Sequence, residues 1–301
     1  MKQIKMDTFD KQKISVNIWD NVENIKGGIL ISHGMAEHPD RYDDFALFLN
    51  KLGYVVVADD HRGHRFSAAG EKGQVSGNSF VQTIKDMDML IDYIKNTYNT
   101  EVVLIGHSYG SFLSQAYMEK YSNKLKGVIL SGTAYMKSAL VASGLAIASI
   151  QNAIFGPDKP GKLIDKMSFG AYNKPFESQG QKFAWLSRDK EQVDKYEKDE
   201  YCGYVMSLGF YKSFFKGIMS MYGEDALNIN KKLPILIAVG SDDPVSQQAK
   251  LAAKLYDFYK GLGLNVSYKV YEGARHEILN EINREEVYND FKEFIEKIFA
   301  K

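Results

Sequence analysis

The chain has 301 residues, of which 45% are hydrophobic, and its 38 Lys and Arg residues balance 38 Asp and Glu residues. This length suits one large α/β domain, or one domain that carries an insertion. A formal net charge of zero excludes the basic surface that is typical of nucleic-acid-binding proteins. The single cysteine, Cys202, excludes an intrachain disulfide framework.

The beginning of the chain, MKQIKMDTFDKQK, is polar and lacks the apolar centre of a signal peptide. No apolar stretch reaches the length of about 18 residues that a spanning helix needs. We therefore expect a soluble cytoplasmic protein.

Strand and helix patterns alternate along the first part of the chain. Alternating apolar residues at 12–20 predict a half-exposed strand in a hairpin with residues 3–9. Four short apolar runs follow, and patterns of helical periodicity separate them. This alternation predicts a mostly parallel sheet with helices on both faces. The runs are Gly28–His33, Tyr54–Asp59, Val102–Gly106 and Gly127–Ser131, and the helices lie at about 41–52, 79–98 and 109–121.

The alternation stops near Gly132 and resumes near Pro234 with the buried-strand pattern Ile235–Val239. A helix, the strand Val266–Tyr271 and a last helix follow. We therefore expect residues 1–132 and 228–301 to form the core, with residues 133–227 inserted between the sixth and seventh strands.

Two segments of this insertion have a distinct composition. Residues 139–150 are apolar nearly all round and too short to span a membrane. They are compatible with a helix that packs on the core, or with a lid that lines an acyl-chain pocket or touches lipid. Residues 188–200 carry dense mixed charge, which predicts a solvated helix face.

A candidate nucleophile lies where the strand Val102–Ile105 meets the helix at 109–121. The sequence Gly106-His107-Ser108-Tyr109-Gly110 fits the pattern G-x-S-x-G. This pattern describes a sharp strand-to-helix turn, which needs glycines because other side chains would clash. The turn lifts the Ser108 hydroxyl clear of the sheet edge.

A serine nucleophile needs a base, and the base needs an orienting group. In this arrangement the partners follow in the chain order serine, acid, histidine. Of the six histidines only His276 follows Ser108, so it is the candidate base. The acid should follow the strand Ile235–Val239, where Asp242 and Asp243 are adjacent. We assign Asp243, which precedes a proline, and keep Asp242 as the alternative.

An oxyanion hole needs two convergent N–H donors. The backbone N–H of Tyr109, directly after the nucleophile, is one candidate. The loop His33–His38 follows the strand at 28–33 and offers the backbone N–H of Met35 as the second. His33 is then a turn-stabilising residue and takes no catalytic role.

The segment Asp59–His64 permits a competing interpretation. Two histidines three residues apart beside two aspartates could bind zinc. No further histidine or cysteine is placed to complete four ligands, so we favour a structured turn after a strand. We expect no metal or cofactor.

The combined motifs resemble the α/β-hydrolase superfamily and, within it, the bacterial lysophospholipase and monoacylglycerol lipase family. The resemblance implies an eight-stranded α/β-hydrolase fold, a helical cap at 133–227 and hydrolysis of single-acyl-chain lipids. One residue departs from the family pattern: Arg65 follows the Arg-Gly-His motif where the family has glycine. The matching segments are HGMAEH at 33–38 with Arg41-Tyr42, DHRGH at 60–64, GHSYG, GSDDP, YEGARHE, NKPF at 173–176 and WLSRD at 185–189.

We therefore expect a serine carboxylester hydrolase that acts on a monoacylglycerol or a lysophospholipid. Ser108 would attack the ester, with His276 as base, Asp243 as orienting acid, and Met35 and Tyr109 as oxyanion donors. Two alternatives keep this mechanism but change the substrate. One is a peptide or other amide, as in an aminopeptidase, and the other is a short-chain ester. A non-catalytic binding module is less favoured, because every role has a candidate residue. The apolar stretch also makes transient contact with a membrane surface plausible.

Overall fold

The computed structural model describes residues 1–300 and has a mixed sheet with helices on both faces. Within these residues the sheet has eight strands: β1 Lys2–Asp7, β2 Lys13–Trp19, β3 Gly27–Ser32, β4 Tyr54–Asp59, β5 Val102–His107, β6 Gly127–Ser131, β7 Ile235–Gly240 and β8 Val266–Tyr271. Their order across the sheet is β1-β2-β4-β3-β5-β6-β7-β8. The β1–β2 and β2–β4 pairs are antiparallel and the remaining pairs are parallel, so the predicted mostly parallel sheet is confirmed.

Helices cover the two faces and divide the core into two apolar layers. The helices are α1 Asp43–Lys51, α2 Ser79–Tyr98, α3 Tyr109–Tyr121, α4 Ala139–Phe155, α5 Lys162–Phe169, α6 Lys190–Lys198, α7 Leu208–Ser220, α8 Lys250–Gly261 and α9 Arg284–Phe299. Along β5, Leu104 packs into the layer under α2, α3 and α8, whereas Val103 and Ile105 pack into the layer under α1 and α9. All three side chains are fully buried, as expected where both faces of a parallel sheet are covered.

The hairpin of β1 and β2 is confirmed, but the expected half-exposure of β2 is wrong. Its polar residues Ser15 and Asn17 are each only 1% exposed. The Asn17 side-chain amide donates to Asp40, and the backbone N–H of Ser15 donates to Ser67 Oγ at 2.8 Å, while the Ser15 hydroxyl has no hydrogen-bond partner. The alternation of apolar and polar residues therefore does not reflect solvent contact in this strand.

Residues 133–227, which we call the inserted segment, connect β6 to β7 and contain α4 to α7. Helix α4 packs against α7 and buries only Val141 and Ala148. Leu145 and Ile147 are partly buried against the same apolar cluster, whereas Leu140 is 76% exposed and Ile150 60% exposed. The stretch 139–150 therefore packs by one face and presents the other face to solvent, so it is not buried all round. Among residues 1–300, no helix combines the length and the apolar character required to cross a membrane.

The turn from β5 to α3 depends on the close approach of two backbones. A Cβ on Gly110 would overlap the carbonyl oxygens of Ser32 and His33 at the end of β3. A Cβ on Gly106 would overlap the backbone of Gly110 and the Ser114 hydroxyl. The two glycines of the motif therefore let the first turn of α3 lie directly against the sheet.

Replacing Gly110 with alanine tests this packing constraint. Because the new Cβ meets rigid backbone, we expect the free energy of unfolding to fall by about 3 kcal/mol, measured by urea denaturation. The matched control is Gly261→Ala at the end of α8, where a Cβ meets nothing within 4 Å. A Gly110→Ala protein as stable as this control would contradict the packing described above.

Candidate active site

Ser108 lies at the tip of the turn between β5 and α3. Its backbone has φ 51° and ψ −116°, a conformation that L-residues rarely adopt. Its N–H donates to the carbonyl of Ser131 on the neighbouring β6 at 3.0 Å. Strain held by surrounding hydrogen bonds is typical of functional turns, and here it holds the Ser108 hydroxyl outside the sheet.

The structure brings Ser108, His276 and Asp243 into one hydrogen-bonded chain. His276 Nε2 lies 2.8 Å from Ser108 Oγ, and His276 Nδ1 lies 2.9 Å from Asp243 Oδ1. The Val245 N–H also donates to Asp243 Oδ1 at 2.9 Å, which fixes the carboxylate. The alternative acid, Asp242, is exposed and accepts from its neighbour Ser241. The geometry therefore favours Asp243 over Asp242.

His276 is buried against two aromatic neighbours. The Trp185 ring lies 5.2 Å from its ring centroid and the His107 ring lies 4.8 Å away. Burial lowers the pKa of His276, but the negative charge and hydrogen bond of Asp243 outweigh it, so the pKa lies above its ordinary value. Burial, together with the charge of His276, lowers the pKa of His107 to about 4 and keeps that ring neutral.

The two candidate oxyanion donors are Met35 and Tyr109. Met35 lies in the loop after β3 and lines the same pocket as Ser108, while Tyr109 directly follows Ser108 as the first residue of α3. Within residues 1–300, neither backbone N–H donates to a protein acceptor. Unused N–H groups beside a nucleophile are what an oxyanion hole requires.

A buried cluster of charged side chains also borders the pocket, and sequence reasoning missed it. Arg41 donates to both carboxylate oxygens of Glu277 at 2.6 Å and also bonds Glu37. Glu37 accepts further hydrogen bonds from Tyr42 and from the Gly34 N–H. Burial raises the pKa of Glu37, but Arg41 outweighs it and holds the pKa at about 2. Two carboxylates around one guanidinium leave one excess negative charge beside the pocket.

The sequence contained a signal for this cluster. Glu37 and Arg41 are four residues apart in the loop after β3, and Glu277 directly follows His276. Their meeting depends on the loops after β3 and β8 lying at the same sheet edge, which parallel strands impose. Spacing alone does not reveal that a cation and an anion 236 residues apart form a bidentate pair.

The two histidine side chains of the segment Asp59–His64 form hydrogen bonds within the protein. His61 bonds Asp59 at 3.0 Å and Ser32 at 2.9 Å, and His64 Nε2 accepts from the Ala36 N–H. His33 Nε2 accepts from the His61 N–H at 3.0 Å. These contacts tie the loops after β3 and β4 together.

Arg65, the residue that departs from the family pattern, has a backbone conformation that favours glycine. Its φ is 40°, in the left-handed region. Its guanidinium donates to Asp40 at 2.8 Å and lies 4.4 Å from the Phe66 ring centroid. The strained backbone is therefore compensated by contacts that a glycine would lack.

The pocket over Ser108 has an apolar part and a polar part. The inserted segment supplies most of the apolar part together with the carboxylate of Asp165, and the loops that follow β3 and β8 supply most of the polar part. The apolar residues are Phe169, Phe183, Trp185 and Leu186, and the polar residues include Glu37, His276 and Glu277.

The family model described as "Serine aminopeptidase, S33" matches residues 23–283. The chain is 27% identical to the monoglyceride lipase homolog of Monkeypox virus, over 92% of this chain and 91% of that protein. It is 25% identical to the monoacylglycerol lipase of Mycolicibacterium smegmatis, over 94% of this chain and 92% of that protein. A carboxyl esterase from Bacillus coagulans superposes with a TM-score of 0.88 at 24% identity, over 99% of this chain and 98% of that one.

These matches define the class of protein as the serine hydrolases with an α/β-hydrolase fold, as the motifs predict. The chain belongs to the family described as "Serine aminopeptidase, S33".

Replacing Asp243 with asparagine tests which aspartate acts on His276. The change keeps the shape but removes the negative charge that raises the pKa of His276, so we expect that pKa to fall in an NMR titration of the ring. The matched control, Asp242→Asn, should leave it unchanged. If the pKa of His276 falls in Asp242→Asn but not in Asp243→Asn, the orienting acid is Asp242.

Proposed function

We propose that this chain is a serine carboxylester hydrolase that acts on single-acyl-chain lipid esters through Ser108, His276 and Asp243. The hydrogen-bonded chain of these three side chains, opening on a pocket with an apolar and a polar part, is the observation that carries the proposal. The names of the two lipase relatives point to the same substrate class.

In the proposed reaction, Ser108 Oγ attacks the ester carbonyl while His276 Nε2 accepts its proton. The tetrahedral oxyanion accepts hydrogen bonds from the backbone N–H groups of Met35 and Tyr109. His276 then protonates the leaving alcohol, and an acyl ester remains on Ser108. Water, deprotonated by His276, attacks the acyl carbon, and His276 returns the proton to Ser108 Oγ as the fatty acid leaves. Asp243 stabilises the imidazolium at each transfer.

We infer that the inserted segment is a helical cap over a core formed by residues 1–132 and 228–301. Residues of this segment form the apolar part of the pocket, where an acyl chain would lie. The cavity is only about 110 Å³, below the roughly 300–1,000 Å³ of sites that enclose a ligand. A long acyl chain therefore requires the cap to move outward. The exposed apolar side chains of α4 would then face a lipid surface.

The charge beside the pocket favours a neutral leaving group. Glu37 and Glu277 together carry two negative charges against the one positive charge of Arg41, and all three lie within hydrogen-bond distance. A phosphate in the leaving group would be repelled by the excess charge, whereas glycerol hydroxyls could bond the carboxylate oxygens. We therefore propose monoacylglycerol as the substrate ahead of an anionic lysophospholipid.

A hydrolysis panel tests this preference with Glu277→Gln. The substrates are a monoacylglycerol, a lysophosphatidylglycerol of the same chain length, a short aryl ester and an aminoacyl-amide. We expect kcat/KM to be highest for the monoacylglycerol. Because Glu277→Gln removes the excess negative charge, the ratio of kcat/KM for the monoacylglycerol to kcat/KM for the lysophosphatidylglycerol should fall by about tenfold, equivalent to about 1.4 kcal/mol.

The control variant is Glu272→Gln, an exposed carboxylate on the same loop, which should preserve the wild-type ratio. Ser108→Ala serves as the blank and should lose all turnover. A higher kcat/KM for the aminoacyl-amide than for the esters would show that the protein is an amide hydrolase. Activity on the aryl ester alone would show that lipid esters are not its substrates.

A further inference from the structure

Three side chains with metal-binding atoms meet where the inserted segment touches the loop after β3. They are His38 from the loop, and Asp199 and Cys202 from the stretch between α6 and α7. One ligand atom from each, a ring nitrogen, a carboxylate oxygen and the sulfur, lie within 4.8 Å of one another. Among residues 1–300 this is the one group of such residues with that arrangement. It contains none of the residues assigned to catalysis.

We propose that His38, Asp199 and Cys202 bind one zinc-like divalent transition-metal ion. Imidazole, thiolate and carboxylate together are a ligand set that zinc accepts, whereas magnesium and calcium prefer oxygen alone. Zinc holds these ligands at about 2.0–2.3 Å, so small side-chain rotations would bring the three atoms around it. A water molecule would occupy the fourth position.

Backbone hydrogen bonds already arrange the two ligands of the inserted segment. The Tyr201 N–H donates to Asp199 Oδ1 at 2.8 Å, which leaves Oδ2 to face His38. The Cys202 N–H donates to the Asp199 carbonyl at 3.1 Å. The Gly203 N–H donates to the Ala36 carbonyl at 2.9 Å, which holds this stretch on the loop that carries His38. The ion would therefore bind side chains whose backbone is already held in place.

Proton and charge balance permit this site. His38 Nε2 donates to Asp199 Oδ2 at 2.8 Å, so its proton must move to Nδ1 before Nε2 can bind metal. Asp40 Oδ2, 4.0 Å from Nδ1, is the acceptor for that proton once Arg65 turns away from the ring. The Cys202 thiol releases one proton to solvent. The thiolate and the Asp199 carboxylate then neutralise the two charges of the ion.

The ion would enter from the solvent side of Asp199, whose side chain is 32% exposed, whereas that of His38 is 6% exposed. Once bound, it would fasten the inserted segment to the loop that contains Met35. We therefore expect bound metal to stabilise the fold, since an ion that binds the folded state alone raises the melting temperature. We also expect it to slow turnover of long-chain substrates, which need the segment to move.

Cobalt binding to the full-length protein tests this site directly. Because Cys202 is the only cysteine, a thiolate-to-Co²⁺ charge-transfer band in the near ultraviolet can arise only from this residue. We expect the band at one Co²⁺ per chain, its displacement by Zn²⁺, and its loss in Cys202→Ser. The melting temperature should rise with Zn²⁺ in the wild type and not in Cys202→Ser.

Two further variants separate a three-ligand site from binding by the thiol alone. His38→Gln and Asp199→Asn should each weaken cobalt binding at least tenfold, while the Ser108→Ala variant should bind as the wild type does. Absence of the charge-transfer band, or a band of unchanged affinity in both His38→Gln and Asp199→Asn, would overturn the proposal. The readouts do not involve hydrolysis, so they stand apart from the proposed function.

Discussion

The close approach of α3 to the end of β3 is the constraint on which the rest of the site depends. Without side chains at Gly106 and Gly110, the first turn of α3 lies against the sheet backbone and forces Ser108 into a left-handed conformation. The hydroxyl then points to the loop after β8, where His276 lies 2.8 Å away. A wider turn would move the hydroxyl out of hydrogen-bond reach.

Electrostatics around His276 reinforce this geometry. The ring is buried, which disfavours its charged form, yet it faces Asp243 directly and Glu37 and Glu277 at longer range. A proton that reaches Nε2 therefore enters a region of negative potential, which stabilises the imidazolium. Arg41 compensates one of the outer carboxylates and prevents two like charges from facing each other unpaired.

Several elements could be predicted from the sequence because their signals are local. The buried strand Tyr54–Asp59 and the helix at 79–98 match the structure at both ends. The strand-to-helix turn at Ser108 follows from glycines at fixed spacing. The assignment of Ser108, His276 and Asp243 rested on chain order, and the structure brings these three side chains together.

Other features depend on contacts between distant segments and left no local signal. In β2 the backbone N–H of the buried Ser15 donates to the hydroxyl of Ser67, 52 residues away. The exposure of α4 could not be separated from burial, because an apolar helix looks the same in sequence whether it faces a core or a lipid. The meeting of His38 with Asp199 likewise requires the path of the inserted segment.

Activation of Ser108 as a nucleophile by His276 can be measured by labelling the protein with a long-chain alkyl fluorophosphonate and mapping the modified peptide by mass spectrometry. We expect one adduct per chain, on Ser108, and a loss of labelling in the His276→Ala variant. An adduct on another serine, or equal labelling rates in His276→Ala and wild type, would contradict this activation.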